Sequence, residues 1–252
     1  MFLKTNVSNA VVRDATISDI DSLSQLQDKL LFNLDSISTT ITVDSSDSDC
    51  HYRSQKTYSG LIHPLKRQEF IETLPPRGIL TVIDGGNELL GFIRIVNNYR
   101  SVHSICIDLF GWNDTVSDDL PQTSPRGSIS WLDEDAARYL HDNQENLVFW
   151  THIGIKKRGL RSTINSKKLI SAAFAPLNDN MVAIGEVFRI LSIDNHNLIT
   201  PINNMASRSM CRRCGARVIC TVTEDIWLRG HQLTVGWDLF LFSVADIKKK
   251  LS

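Results

Sequence analysis

The chain has 252 residues, of which 42% are hydrophobic and 22% are charged, and its formal net charge is −1. This composition is typical of a folded chain with a substantial core and excludes a chain that is disordered as a whole. The near-neutral charge gives no general attraction to nucleic acid or to anionic lipid, so any phosphate group must be bound by a local cluster of cations.

The apolar runs are shorter than the roughly 20 residues that span a bilayer, and the first residues lack the charged-then-apolar order of a secretion signal. The chain contains five cysteines without the spacing of a small disulfide framework, which predicts reduced thiols. We therefore expect a cytoplasmic protein that does not associate with membranes.

The first elements in chain order are a short strand at residues 9–16 and a helix capped by Ser18. Residues 36–60 are rich in Ser and Asp and aperiodic, which predicts a loop, and residues 66–74 form a short helix that ends before two prolines. The apolar stripe predicted for the first helix is Ile20, Leu23, Leu26, Leu30, Leu31 and Leu34.

A hairpin follows at residues 79–83 and 89–96, because two β-rich runs flank an Asp-Gly-Gly-Asn turn. A further strand is expected at residues 104–110, and a helix at residues 131–141 follows a connection rich in Pro, Ser and Asp. The side chains that we expect to face inward from this helix are Leu132, Ala136, Tyr139 and Leu140.

Residues 147–155 are apolar at almost every position, which predicts a central strand covered on both faces. A basic segment begins directly after this strand and contains no acidic residue up to position 168. Its cations are Lys156, Lys157, Arg158, Arg161, Lys167 and Lys168. In a neutral chain this cluster indicates binding of a polyanion.

The i, i+3, i+4 spacing of apolar residues predicts a helix at 179–193, and residues 198–202 read as a short buried strand. A second helix, capped by Asn203 or Asn204, ends at Gly215, where a positive φ is favoured. Two further strands are predicted at residues 217–223 and 233–244, with Gly230 in the turn between them.

This order of elements predicts an α/β (α+β) fold with a mixed central sheet flanked by helices. We expect a single domain over residues 1–252, with insertions near residues 36–60, 113–128 and 156–178.

The stretch around residues 198–218 carries a resemblance to a known family. An Asn followed eleven residues later by Gly, here Asn204 and Gly215 with Ala206 and Ala216, resembles a strand–helix–strand segment of the GNAT acyltransferase superfamily. The resemblance implies a sheet splayed between its fourth and fifth strands, here residues 147–155 and 198–202. It also implies transfer of an acyl group from a CoA or acyl-carrier-protein thioester to an amine of a small molecule.

The chain departs from the family's glycine-rich phosphate motif, because aligning Arg158 with its first position places Arg161 and Thr163 where glycines belong. Guanidinium and ammonium groups would then hold the phosphates in place of a backbone nest. In this the chain resembles acyl-homoserine-lactone synthases and long-chain N-acyl amino acid synthases. The residues that the resemblance assigns to donor binding are Ile153, Ile155, Lys156, Lys157, Arg158, Gly159, Arg161, Asn204 and Arg208.

Amine attack on a thioester requires a base for the amine and an acid for the departing thiolate. The candidate bases are His152, whose ordinary pKa suits neutral pH, and Glu145. The alternative interpretations are a histidine packed in the strand and a surface carboxylate without a catalytic role. The residue seven after the Asn is often a Tyr acid in the family and is Cys211 here, and Ser209 acting through water is the alternative. A Cys211 flanked by arginines on the first turn would have a lowered pKa, and the commoner alternative is a small Cys buried within the helix.

Cys211 and Cys214 also fit a C-x-x-C template, but no second ligand pair at suitable spacing accompanies them, so we predict no metal. A different class of function stays open, in which the chain is a non-catalytic GNAT-like module that binds a carrier protein or a tRNA. The near-neutral charge makes nucleic acid the less favoured partner.

Overall fold

The computed structural model describes residues 10–31, 61, 64–98, 123–124, 127–156 and 161–251. The loop predicted at 36–60 and the strand predicted at 104–110 lie outside these residues, and so does most of the insertion at 113–128. The described strands are β1 (Val11–Asp14), β2 (Ile79–Asp84), β3 (Leu89–Val96), β4 (Thr123–Ser124), β5 (Gly127–Leu132), β6 (Leu147–Ile155), β7 (Val182–Ile193), β8 (His196–Asn203), β9 (Arg217–Leu228) and β10 (His231–Ser243).

The described α-helices are α1 (Ile20–Leu30), α2 (Arg67–Glu72), α3 (Glu134–Asp142), α4 (Arg161–Phe174), α5 (Met205–Arg213) and α6 (Val244–Leu251), with 3-10 turns at Ile17–Asp19 and Gln144–Asn146. None of the helices within the described ranges is both long and apolar enough to cross a membrane.

The described strands form one sheet in the order β1-β2-β3-β6-β7-β10-β9-β5-β4, and β8 pairs with β7 outside this path. The β6–β7 pair is parallel, and the neighbouring pairs β3–β6 and β7–β10 are antiparallel. The sheet is therefore mixed, as predicted, and helices flank it on both sides.

The two faces of the sheet carry different helices. Apolar residues of α4, α5 and α6 pack on one face, which we call the α4 face, together with Ile93 and Trp150 of the sheet. Apolar residues of α1 and α2 pack with Phe92 on the opposite face, which we call the α1 face. The core around α3, which includes Phe149 and Phe188, lies on this second side.

The helix predicted at residues 179–193 is wrong, because the segment forms strand β7. Its apolar residues are buried on both faces of the sheet, and a segment that is apolar all round has no single period that separates a helix from a central strand. The predicted strand at 198–202 does form, as part of β8, but it pairs with β7 in a hairpin and does not neighbour β6.

Two smaller expectations also differ from the structure. The insertion expected at 156–178 contains α4, whose Leu169, Ile170 and Phe174 are buried against the sheet, so this part is integral to the core. Helix α3 begins after an Asp133 cap, and Tyr139, which was expected to face inward, is 46% exposed. The hairpin of β2 and β3 is confirmed.

Candidate active site

A slot opens in the sheet where the two central parallel strands part. β6 and β7 are paired from Leu147 opposite Val182 to Trp150 opposite Gly185, and no further pair is formed between them. Both strands nevertheless continue, β6 to Ile155 and β7 to Ile193. The backbone of β6 beyond Trp150 therefore keeps its pairing with β3, and no described strand pairs with it on the side of β7.

A bulge marks the start of the slot. Arg94 of β3 pairs with His152 and Ile95 pairs with Trp150, so Thr151 is the extra residue of β6. A bulge bends its strand and increases the local twist, which moves the end of β6 away from β7. The predicted splay is confirmed, but it lies between β6 and β7 and not between residues 147–155 and 198–202, because the register that creates it involves β7.

A cleft of about 1710 Å³ lies on the α4 face beside the slot. Its floor includes the end of β6, and its walls come from α4, α5, the C-terminal end of α6 and the C-terminal end of α1 with Leu61. Its predicted donor-binding residues are Ile153, Ile155, Lys156 and Asn204. This cleft is large enough for a cofactor of the size of CoA.

Asn204 is placed at the mouth of this cleft by its role as a helix cap. Its side-chain oxygen accepts a hydrogen bond from the backbone N–H of Ser207 at 3.2 Å, and the residue is 5% exposed. Gly215 ends the same helix region with φ of 84°, as predicted. The cap and the glycine fix the length of α5 from the sequence alone.

The remaining predicted donor ligands have different outcomes. Lys157, Arg158 and Gly159 lie outside the described residues, and Arg161 begins α4 without a described side chain. The Arg208 guanidinium forms an ion pair with buried Asp238 and lines a separate, smaller cavity of about 570 Å³.

Cations surround the cleft on several elements. The basic residues that line it are Lys29, Lys156, Lys167, Lys168, Arg213 and Lys250. Lys156 also pairs with Glu88. The other cations come from α1, α4, α5 and α6, so the folded chain concentrates positive charge that the sequence distributes over most of its length.

The predicted base His152 lies next to the bulge, on the opposite side of β6 from the cleft floor. Its register partner is Arg94, and the next pair on the same side, Phe92 with Gly154, faces α1: a Cβ on Gly154 would contact Leu30 of that helix. His152 therefore points to the α1 face at the edge of the slot.

Glu145 is not part of this site. It lies in the 3-10 turn before β6, whereas the slot begins at Thr151. The four residue steps of strand from Leu147 to Thr151 alone correspond to roughly 13 Å. The prediction of Glu145 as a base is therefore wrong, because the strand places it at the other end of the sheet.

Of the two interpretations of Cys211, the structure supports the Cys buried in the helix and not the thiol with a lowered pKa. Cys211 lies in the second turn of α5, is 3% exposed and packs in the core of the α4 face, and burial raises its pKa to about 12. Burial likewise raises the pKa of Cys214 to about 11. The alternative, Ser209, is exposed and lines the cleft.

A carboxylate that the sequence did not indicate lies opposite the bulge. Glu186 of β7 directly follows Gly185, the last residue paired with β6. Its neighbours Ile184 and Phe188 belong to the core around α3, so strand alternation places Glu186 on the α1 face, as it does His152. The sequence signal for Glu186 is a single acidic residue in a segment that is otherwise almost entirely apolar. This signal is not recognised when the segment is predicted as a helix.

No protein-family model and no curated protein matches this chain. Among solved structures, the chain is similar to the ribosomal-protein-S18-alanine N-acetyltransferase of Escherichia coli, with a TM-score of 0.48 and 7% identity over 94% of this chain and 95% of that one. It is similar to a Drosophila melanogaster polyamine N-acetyltransferase, with a TM-score of 0.47 and 9% identity over 93% of this chain and 100% of that one.

A third similar structure is a putative acetyltransferase of Salmonella typhimurium with its cofactor acetyl-CoA, at a TM-score of 0.40 and 9% identity over 91% of this chain and 92% of that one. These identities and TM-scores are too low to support a statement about the activity of this chain. The fold is defined by its own geometry, a mixed sheet with helices on both faces and two central parallel strands that part after four residue pairs. This geometry agrees with the mixed, splayed sheet that the resemblance to the GNAT superfamily implied. The narrower likeness to acyl-homoserine-lactone synthases stays a prediction.

Proposed function

We propose that this protein is an acyltransferase that moves an acyl group from a CoA thioester, or from an acyl-carrier-protein thioester, to an amine of a small acceptor. The observation that carries the proposal is the end of β6–β7 pairing at Trp150 and Gly185 while both strands continue. An edge of backbone N–H and C=O groups inside a sheet is costly unless something pairs with it.

The amide groups of a pantetheine arm match this edge. An extended chain of amides can add to an open strand through main-chain hydrogen bonds, as peptides do in strand addition. The apolar side chains of Ile153 and Ile155 border the same path on the α4 face. We therefore place the arm along the second half of β6, with the thioester at Thr151.

The phosphate groups of the donor would lie at the cationic end of the cleft. Lys156 follows β6, and Lys167 and Lys168 of α4 also line the cleft. These charges attract a pyrophosphate or the phosphate of a carrier-protein arm.

The chemistry is direct attack by a neutral amine on the thioester carbonyl. The new C–N bond forms, the C–S bond breaks, the amine gives up a proton and the thiolate takes one. His152 and Glu186 are the proposed bases, because both lie on the α1 face at the slot. Ser209, at the cleft, is the proposed donor to the thiolate, directly or through a water.

Donor binding is tested by calorimetric titration of acetyl-CoA, acetyl-pantetheine and an acyl-carrier protein with its acyl arm. We expect Lys168→Glu to lower the affinity for acetyl-CoA by about tenfold and to leave the affinity for acetyl-pantetheine unchanged, because only acetyl-CoA carries phosphates. Arg138→Glu is the matched control, since it makes the same charge change at an exposed site on α3, outside the residues that line the cleft. Failure of all three donors to bind contradicts the proposal.

Transfer is tested by release of free thiol and by the mass of the product with a panel of amines. The variants are His152→Gln and Glu186→Gln. We expect the variant that removes the catalytic base to lower kcat by about 10²- to 10⁴-fold and to remove the acidic limb of the pH–rate profile. Donor binding should be unchanged in both variants. Tight donor binding without transfer to any amine would instead favour the non-catalytic module.

A further inference from the structure

Arg94 is a partly buried cation that forms no ion pair with a carboxylate in the described part of the chain. Its Nε donates to the hydroxyl of Thr73 at 2.7 Å, and its Nη1 donates to the hydroxyl of Thr151 at 3.1 Å. No carboxylate of the described residues lies within ion-pair distance of it. Burial lowers the pKa of Arg94, and Glu69 and Glu72 oppose that effect only through space.

The other half-buried arginines with described side chains form ion pairs with carboxylates. Arg13 bonds two carboxylates at 2.8 Å. Arg189 and Arg208 share the carboxylate of Asp238. Arg94 alone among these four has only hydroxyl partners. Removing a guanidinium from water without a counter-charge is unfavourable, and such a group is retained where a ligand supplies the missing anion.

The position of Arg94 connects it to the slot. Arg94 is the register partner of His152, and its guanidinium bonds the side chain of the bulge residue Thr151. The bond to Thr73, just after α2, confirms that it lies on the α1 face. Glu186 flanks the same opening from β7. On the α1 face, the Arg94 side chain thus reaches from β3 to Thr151 on one side of the slot, and Glu186 of β7 lies on the other side.

We propose that the acceptor carries a carboxylate a few bonds from its amine, as an amino acid does, and that Arg94 binds this carboxylate. The inference rests on the proposed acyltransfer, since it assigns the acceptor of that reaction. The planar fork of the guanidinium still has donors to offer a carboxylate after its two hydroxyl bonds. With the carboxylate held beside Thr151, the nearby amine points into the slot, toward Glu186 and the thioester.

The test compares acceptors that differ only in this group. Leucine, leucinamide and isopentylamine, and phenylalanine, phenylalaninamide and phenethylamine, form two matched series. We expect the acids to exceed the amides and the plain amines in kcat/KM by roughly 10- to 100-fold, the value of a hydrogen-bonded charge pair. Arg94→Met should abolish that preference mainly through KM and leave acetyl-CoA affinity unchanged, and Arg94→Lys should restore part of it.

Arg77→Met is the matched control, because Arg77 is exposed in the segment that follows α2. Calorimetric binding of the same six acceptors is measured in parallel, so the assignment of Arg94 is tested even if no transfer is seen. Equal use or binding of acids and amides by the wild-type protein, or an unchanged preference in Arg94→Met, overturns the inference. Loss of the acyltransfer proposal would show itself separately, as failure to bind acyl donors.

Discussion

The carboxylate of Asp238 joins three elements around the wall of the cleft. It is 2% exposed and accepts hydrogen bonds from Arg189 of β7 at 3.0 Å, from Thr221 of β9 at 2.8 Å and from Arg208 of α5. Helix α5 also carries Asn204 at its cap. Replacing Asp238 by Ala leaves two guanidinium groups, whose side chains are 28% and 16% exposed, without a counter-charge.

Breaking a buried pair by removing one partner costs about 3 to 5 kcal/mol, because the remaining charge is desolvated and unpaired. Against a total free energy of unfolding of roughly 5 to 15 kcal/mol, this is a large fraction. We therefore expect Asp238→Ala to lower Tm by roughly 6 to 20 °C. Acetyl-CoA affinity should fall as well, since α5 loses its tie to β10.

The free energy of unfolding is measured by urea titration with tryptophan fluorescence, and Tm by calorimetry. Asp225→Ala is the matched control, because Asp225 is an exposed carboxylate of β9 with one bond to Thr234. The double variant Asp238→Ala/Arg208→Met should regain part of the loss, because one unpaired cation is removed. An Asp238→Ala protein within about 1 kcal/mol of the wild type would refute this account of the ion pair.

Three further outcomes follow from the structure. Arg13 holds the pKa of Asp19 at about 2, below its ordinary 3.8. The ionised Asp19 carboxylate therefore contributes to stability above pH 3.8, and this contribution is lost as the pH falls toward 2. The wild type should lose about 1 kcal/mol more than Asp19→Asn between about pH 6 and about pH 3 in urea titrations, and parallel pH curves would contradict this. Cys211 and Cys214 should resist iodoacetamide until the protein unfolds, as peptide mass mapping can show, and rapid native labelling of either would contradict their burial. Gly154→Ala should lower the free energy of unfolding by about 1 to 3 kcal/mol in urea titrations, because its Cβ would lie 2.7 Å from Leu30. An unchanged free energy of unfolding would mean that Leu30 and α1 can move away without a cost in stability.

Local signals in the sequence were sufficient for several parts of the site. The Asn204 cap and the glycine at 215 placed α5, and the run at residues 147–155 was identified as a central strand. These features depend on residues a few positions apart, so they can be found without knowing what packs against them. The basic segment likewise located Lys156, Lys167 and Lys168 at the cleft.

Local signals in the sequence do not predict strand β7. The apolar residues of 182–193 are buried on both faces, and their spacing fits a helix as well as a central strand. Only pairing with β6 and β10 decides between the two. Because the sequence does not predict β7, it pairs the splayed strand β6 with residues 198–202 and gives no role to Glu186.

The sequence by itself determined the elements that depend on short-range chemistry: the hairpin of β2 and β3, the capped helix α5, and a mixed sheet flanked by helices. The tertiary structure decided which strands part, which side of the sheet His152 faces, and that the hydrogen-bond partners of Arg94 among the described residues are hydroxyl groups. The physical reason is that register and burial are set by contacts between residues far apart in the chain. A one-residue bulge at Thr151 is enough to change them, and no local pattern announces it.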